Sequence, residues 1–118
     1  MKLFKYSEVL KEIEHLQKHA TKDEKERLNL IKFDADHIEK CIYGLMTGNC
    51  SSNRAEDLYP KSLYTVTKGL DQKKGVDFTH LEAYIMNNKK GGKLALKAIK
   101  HGRKITKKDL KKYPGNRG

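Results

Sequence analysis

The stretch "THLEAYIMNNKKGGKLALKAIKHG", residues 79–102, carries the features that set the fold class. Thr79 and Glu82 form a T-x-x-E capping box, in which each side chain satisfies a backbone N–H that the first helical turn leaves open. Leu81, Tyr84, Ile85 and Met86 then supply one buried side at helical spacing. Further on, Leu94, Ala95, Leu96, Ala98 and Ile99 cover most of a second helix, and Gly102 stands where a left-handed cap would end it. Between the two, "NNKKGG" reads as a turn.

On both sides of this stretch the same pattern repeats. "YSEVLKEIEHLQKHA" (6–20) places Val9, Ile13, Leu16 and Ala20 on one stripe, broadened by Leu10, with Ser7 as the expected N-cap. Thr21 with Glu24 is a second capping box, opening a helix near residue 22 that carries Leu28, Ile31 and Phe33. Asp36 with Glu39 resembles a third, followed by Ile38, Cys41, Ile42, Leu45 and Met46; Gly48 is placed to cap that helix at its C-terminus. Ser51, Ser52 or Asn53 caps a short helix bearing Ala55, Leu58 and Tyr59, ended by Pro60. Thr106 with Asp109 opens a last short helix, stopped by Pro114. Residues 62–78 alternate in a strand-like manner at first and then become charged and glycine-flanked, which admits one small β-hairpin.

The expected fold is therefore mostly α, a compact bundle of five to seven short helices. The 118 residues suit one domain, 1–118. The core is expected from the apolar residues of 9–16, 38–46 and 81–86. No apolar run approaches the about 18 residues of a membrane span, and the N-terminus lacks the apolar core of a cleaved signal peptide. Two cysteines form no disulfide pattern, so a cytoplasmic chain with reduced thiols is expected.

Charge divides the chain. Residues 1–60 hold 10 basic and 11 acidic residues, a near-neutral helical scaffold. Residues 89–118 hold 12 basic residues against Asp109 alone, net +11. Lys93, Lys97 and Lys100 fall within about 60° of one another on a helical wheel. Arg103, Lys104, Lys107, Lys108, Lys111 and Lys112 continue the basic run. Like charges at i,i+4 repel by a few tenths of a kcal/mol per pair, a penalty that a polyanion would remove. The expected function is nonspecific binding of nucleic acid, DNA or RNA, through these nine residues, with no catalysis and no cofactor. Lys outnumbers Arg by 22 to 4. Arg suits bidentate readout and Lys acts as a point charge, so an acidic protein surface is the alternative partner, with the chain as an adaptor or inhibitor of a nucleic-acid-handling protein. A second copy of the chain is a further candidate partner. A basic helix without Trp or Phe makes a poor membrane anchor, so no membrane is expected.

Other constellations in the chain are weaker. Ser51, Ser52 and Arg54 at a helix start form a candidate anion site for a small phosphorylated ligand, against which Glu56 and Asp57 count. His37, Cys41 and Cys50 supply three metal ligands at most, short of a structural zinc site. Glu12, His15 and His19 share a helix side, without matching ligands elsewhere, and are expected to form a solvated helix face. Asp34 and Asp36 are explained by capping more simply than by a divalent ion. No metal is assigned, and no nucleotide-binding or hydrolase motif occurs.

Overall fold

A computed structural model of the protein describes residues 4–34, 37, 39–49, 52–58 and 79–112. Among them the chain forms seven helices: α1 (Tyr6–His19), α2 (Lys22–Glu26), α3 (Ile42–Thr47), α4 (Asn53–Leu58), α5 (His80–Asn87), α6 (Lys89–His101) and α7 (Lys107–Lys111). No strand occurs among the described residues. The hairpin considered for 62–78 lies outside them.

The centre of the fold is α1 with α5 and α6. Val9, Ile13 and Leu16 on α1 are fully buried, and Leu81, Tyr84 and Ile85 on α5 and Ala95 and Ile99 on α6 join them in one cluster with Ile42, Tyr43 and Met46 of α3, Leu58 of α4 and Leu110 of α7. Burying each such large side chain contributes roughly 1.5–3 kcal/mol. The stripes expected on α1 and α5 are thus present, with one exception. Met86 is 42% exposed, because the inward side of α5 is already filled by its neighbours Tyr84 and Ile85.

Three of the capping boxes form as expected. Thr21 with Glu24, Thr79 with Glu82 and Thr106 with Asp109 each make both reciprocal bonds. Gly48 and Gly102 take the left-handed conformation at φ 96° and 65° and close α3 and α6. Gly102 and Arg103 both donate to the Ala98 carbonyl, so α6 stops there and Lys104 does not extend its lysine stripe.

Other boundaries differ from the sequence reading. α1 begins at Tyr6, with Lys5 rather than Ser7 at the N-cap position. The packing of Phe4 against the Tyr6 and Tyr84 rings (5.4 and 5.2 Å between centroids) commits the chain to the helix earlier, and the Lys5 N–H is taken by His80 Nδ1 at 3.0 Å. α2 ends at Glu26 instead of running to Phe33. The Asn29 side chain accepts from the N–H of Ile31 and offers the backbone a turn in place of a helix, leaving Ile31 95% exposed. α3 starts only at Ile42, capped by Cys41, whose Sγ accepts from the Gly44 N–H. Asp36 and Ile38, which favour a start further upstream, lie outside the described residues.

The largest departure is "NNKKGG". Residues 89–92 are the first turn of α6, and Asn88 alone separates it from α5. Asn88 N–H bonds to the Ile85 carbonyl to close α5, while its side chain accepts from the Gly91 N–H at 2.9 Å to open α6. A one-residue corner forces the two helices together immediately. A Cβ at Gly92 would lie 2.8 Å from Ile85 Cγ2, and one at Gly91 would lie 2.6 Å from Tyr84 Cζ. The glycine pair is thus a close-approach surface within a helix.

A buried polar cluster sets the N-terminus of α5. Glu12, on α1, is buried and accepts from the Leu81 N–H (2.9 Å) and the Tyr43 hydroxyl (2.6 Å), with the Thr79 hydroxyl also bonded to it. Glu82 accepts from the N–H groups of Thr79 and Ile42, tying the start of α5 to the start of α3. Carboxylates at a helix N-terminus also answer its dipole. Burial nevertheless dominates at Glu12 and pushes its carboxyl from 4.5 up to about 7.

Candidate polyanion-binding face

On α6 the lysines are sorted from the apolar residues without exception. Gly91, Gly92, Ala95, Leu96, Ala98 and Ile99 are buried and Leu94 is half-buried. The exposed positions are Lys89, Lys90, Lys93, Lys97, Lys100 and His101, so every exposed position on this helix is Lys or His. Steps of four and three residues place Lys93, Lys97 and Lys100 along one side over about 10 Å. None of them pairs with a carboxylate among the described residues, where the ion pairs are Lys11–Glu8 and Arg54–Glu24.

Arg103 and Lys104 are exposed in the link that follows, and Ile105 is buried beneath it. Gln17 of α1 holds this corner: its Nε2 donates to the carbonyls of Ala98 (2.9 Å) and Arg103 (2.7 Å). Nothing in the sequence around Gln17 marks this glutamine as the cap of a helix so remote along the chain. On α7, Lys107, Lys108, Lys111 and Lys112 are exposed around the buried Leu110. Asp109, the acidic residue among them, is turned back onto the Thr106 N–H at 2.9 Å; bonds from the Thr106 backbone and hydroxyl hold its carboxyl below the usual range. A short segment of like charge does not sustain a helix by propensity. Here tertiary contacts do so: Leu110 is fully buried, its carbonyl accepts from the Tyr84 hydroxyl at 2.8 Å, and Lys111 Nζ lies 5.6 Å from the centre of the Tyr6 ring.

The other candidate constellations are taken up by the fold. Arg54 makes a two-pronged ion pair with Glu24 of α2 (Nε–Oε2 2.7 Å, Nη2–Oε1 2.8 Å), and Nη2 also donates to the His19 carbonyl. That pair, ahead of the bonds from Thr21, holds the Glu24 carboxyl down at about 2. Ser52 Oγ caps α4 by accepting from the Ala55 N–H and donates to the Thr47 hydroxyl. Arg54 and Ser52 therefore face different partners, and Ser51 lies outside the described residues. This segment is an internal clamp between α2 and α4, with the guanidinium already holding an anion of the chain itself.

No group of three potential metal ligands occurs among the described residues. Glu12 points into the core away from His15 and His19, whose rings lie 4.4 Å apart. Cys41 is buried as a helix cap, and Asp36 and Cys50 lie outside the described residues. No described helix is long and apolar enough to cross a membrane. The chain matches no protein-family model, no curated protein and no solved structure.

Proposed function

We propose that this protein is a non-enzymatic nucleic-acid-binding protein that holds the phosphate backbone through α6, the 103–104 link and α7. The observation that carries this reading is the composition of the exposed side of α6, all Lys or His, with no described carboxylate paired to its lysines. A merely solvating surface interleaves both signs of charge, whereas a single-sign stripe is an electrostatic footprint. With Lys in place of Arg, the lysines fix position on phosphates and carry little base readout.

The test is binding to a labelled duplex and a labelled single strand as salt is varied. Wild-type affinity is expected to fall linearly in log–log form. The Lys93→Gln, Lys97→Gln, Lys100→Gln triple variant is expected to lower the slope by about 0.9 for each phosphate it no longer neutralises. Absence of any retardation at low salt overturns the reading. The preponderance of Lys favours one second reading, docking onto an acidic protein surface. Native pull-down with and without nuclease separates the two: partners released by nuclease treatment support the first, partners that survive it the second.

A further inference from the structure

The helices that carry the basic residues are joined through one buried side chain. Tyr84 leaves α5, crosses α6 at Gly91, where any Cβ would strike its ring, and ends in a 2.8 Å hydrogen bond from its hydroxyl to the Leu110 carbonyl of α7. Its ring packs edge-on against Phe4 (5.2 Å) and Tyr6 (6.2 Å), and Tyr6 in turn lies beneath Lys111. Tyr84 itself is fully buried and touches no solvent. Side chains and backbone of α1, α5, α6 and α7 therefore meet on this phenol.

From this geometry we infer that Tyr84 is a positioning residue for polyanion binding: it fixes α7 relative to α6, so that Lys107, Lys108, Lys111 and Lys112 are already in place when a ligand engages Lys93, Lys97 and Lys100. This inference rests on the proposed function above. A short helix with lysines throughout and beside it orders at a cost unless something else holds it. The bond to Leu110 meets that cost in the free protein, so binding does not have to. Tyr84 carries no charge and does not touch the ligand; it acts through the lysines.

The experiment is a double-mutant cycle in the full-length chain, with a blunt DNA duplex of about 24 base pairs, long enough to span both helices, as probe at one fixed low salt concentration. Tyr84→Phe keeps the ring and deletes the hydroxyl. It is expected to weaken binding roughly two- to tenfold, the net worth of one buried hydrogen bond. In a chain where Lys107, Lys108, Lys111 and Lys112 are all Gln, the same substitution is expected to change affinity by less than about twofold, since the groups it positions are gone. A purely structural role gives equal losses in both chains, or none in either while both remain folded, and either result overturns the inference.

Amide hydrogen exchange of residues 107–112 supplies a readout without ligand. In Tyr84→Phe it is expected to accelerate about tenfold over α7 with the core of α1 unchanged. Unchanged exchange in α7 overturns the positioning role even if the duplex binds. Accelerated exchange in a chain whose wild type fails to bind overturns the proposed function while leaving Tyr84 as the support of α7.

Discussion

The Tyr43 hydroxyl donates a 2.6 Å hydrogen bond to Oε2 of Glu12, joining α3 to the middle of α1 inside the core. The other oxygen of the same carboxylate holds the Leu81 N–H at the start of α5. One buried carboxyl thereby positions three helices. Leaving water costs the charged form more than these donors return, which is why the group titrates near neutrality.

That placement makes stability depend on pH with a definite sign. The Glu12 carboxyl titrates at about 7 in the folded chain and 4.5 ordinarily, so between those values the folded state holds the extra proton. Its contribution is fully present below pH 4.5 and is lost as pH rises through about 7. The change amounts to about 3 kcal/mol at most. Glu12→Gln mimics the protonated acid and is expected to flatten this slope. The measurement is urea unfolding at steps between mildly acidic and mildly basic pH for both chains. A variant curve parallel to the wild type overturns the assignment.

Burial lowers His80 below 6.5, and its Nδ1 accepts the Lys5 N–H, which requires an unprotonated nitrogen. The stability it provides is present above pH 6.5 and lost as the pH falls below that value, opposite in sign to Glu12. His80→Gln is expected to remove the loss on the acid side. Subtracting its pH profile from that of the wild type isolates the contribution of this ring.

Arg54→Ala is expected to lower the melting temperature, since it leaves the nearly buried Glu24 carboxylate without its two-pronged partner. The half-exposed guanidinium limits the loss to about 1 kcal/mol. Phosphate added to the wild type is expected to leave its melting temperature unchanged, because the donors are engaged internally. An unchanged melting temperature in Arg54→Ala, together with phosphate stabilisation of the wild type, restores the anion site.

Gly91→Ala is a test of the one-residue corner. In an isolated helix Ala is favoured over Gly by about 1 kcal/mol. Here the new methyl meets the Tyr84 ring, which is fixed at its far end by Leu110. Net destabilisation of about 1–3 kcal/mol is expected in chemical unfolding. A gain in stability overturns the close approach.

Neutralising Lys93, Lys97 and Lys100 as Gln is expected to stabilise the free protein slightly, by a few tenths of a kcal/mol for each relieved i,i+4 pair. The same change is expected to weaken duplex binding. Opposite movement of the two quantities marks residues held against stability, and a fall in both shows that the stripe supports the fold instead.

Local chemistry determined which segments are helical, because capping and helical periodicity act over about one turn. Thr21, Thr79 and Thr106 need only a carboxylate one turn on, and the stripe of Val9, Ile13 and Leu16 announces its own buried side. The lysine side of α6 was legible for the same reason. Tertiary packing decided the rest. "NNKKGG" carries the glycine and asparagine marks of a turn, yet its last four residues are helical, and the glycine pair serves close packing because Tyr84 and Ile85 of α5 occupy the space that side chains would need. Arg54 has the residue type of an anion ligand, and the fold brings Glu24 to it from far along the chain. Glu12 looks solvated in a helix of alternating charge and is in fact buried. In each case the deciding partner is supplied by another element of the fold, and only the folded chain specifies which polar groups lose water and what replaces it.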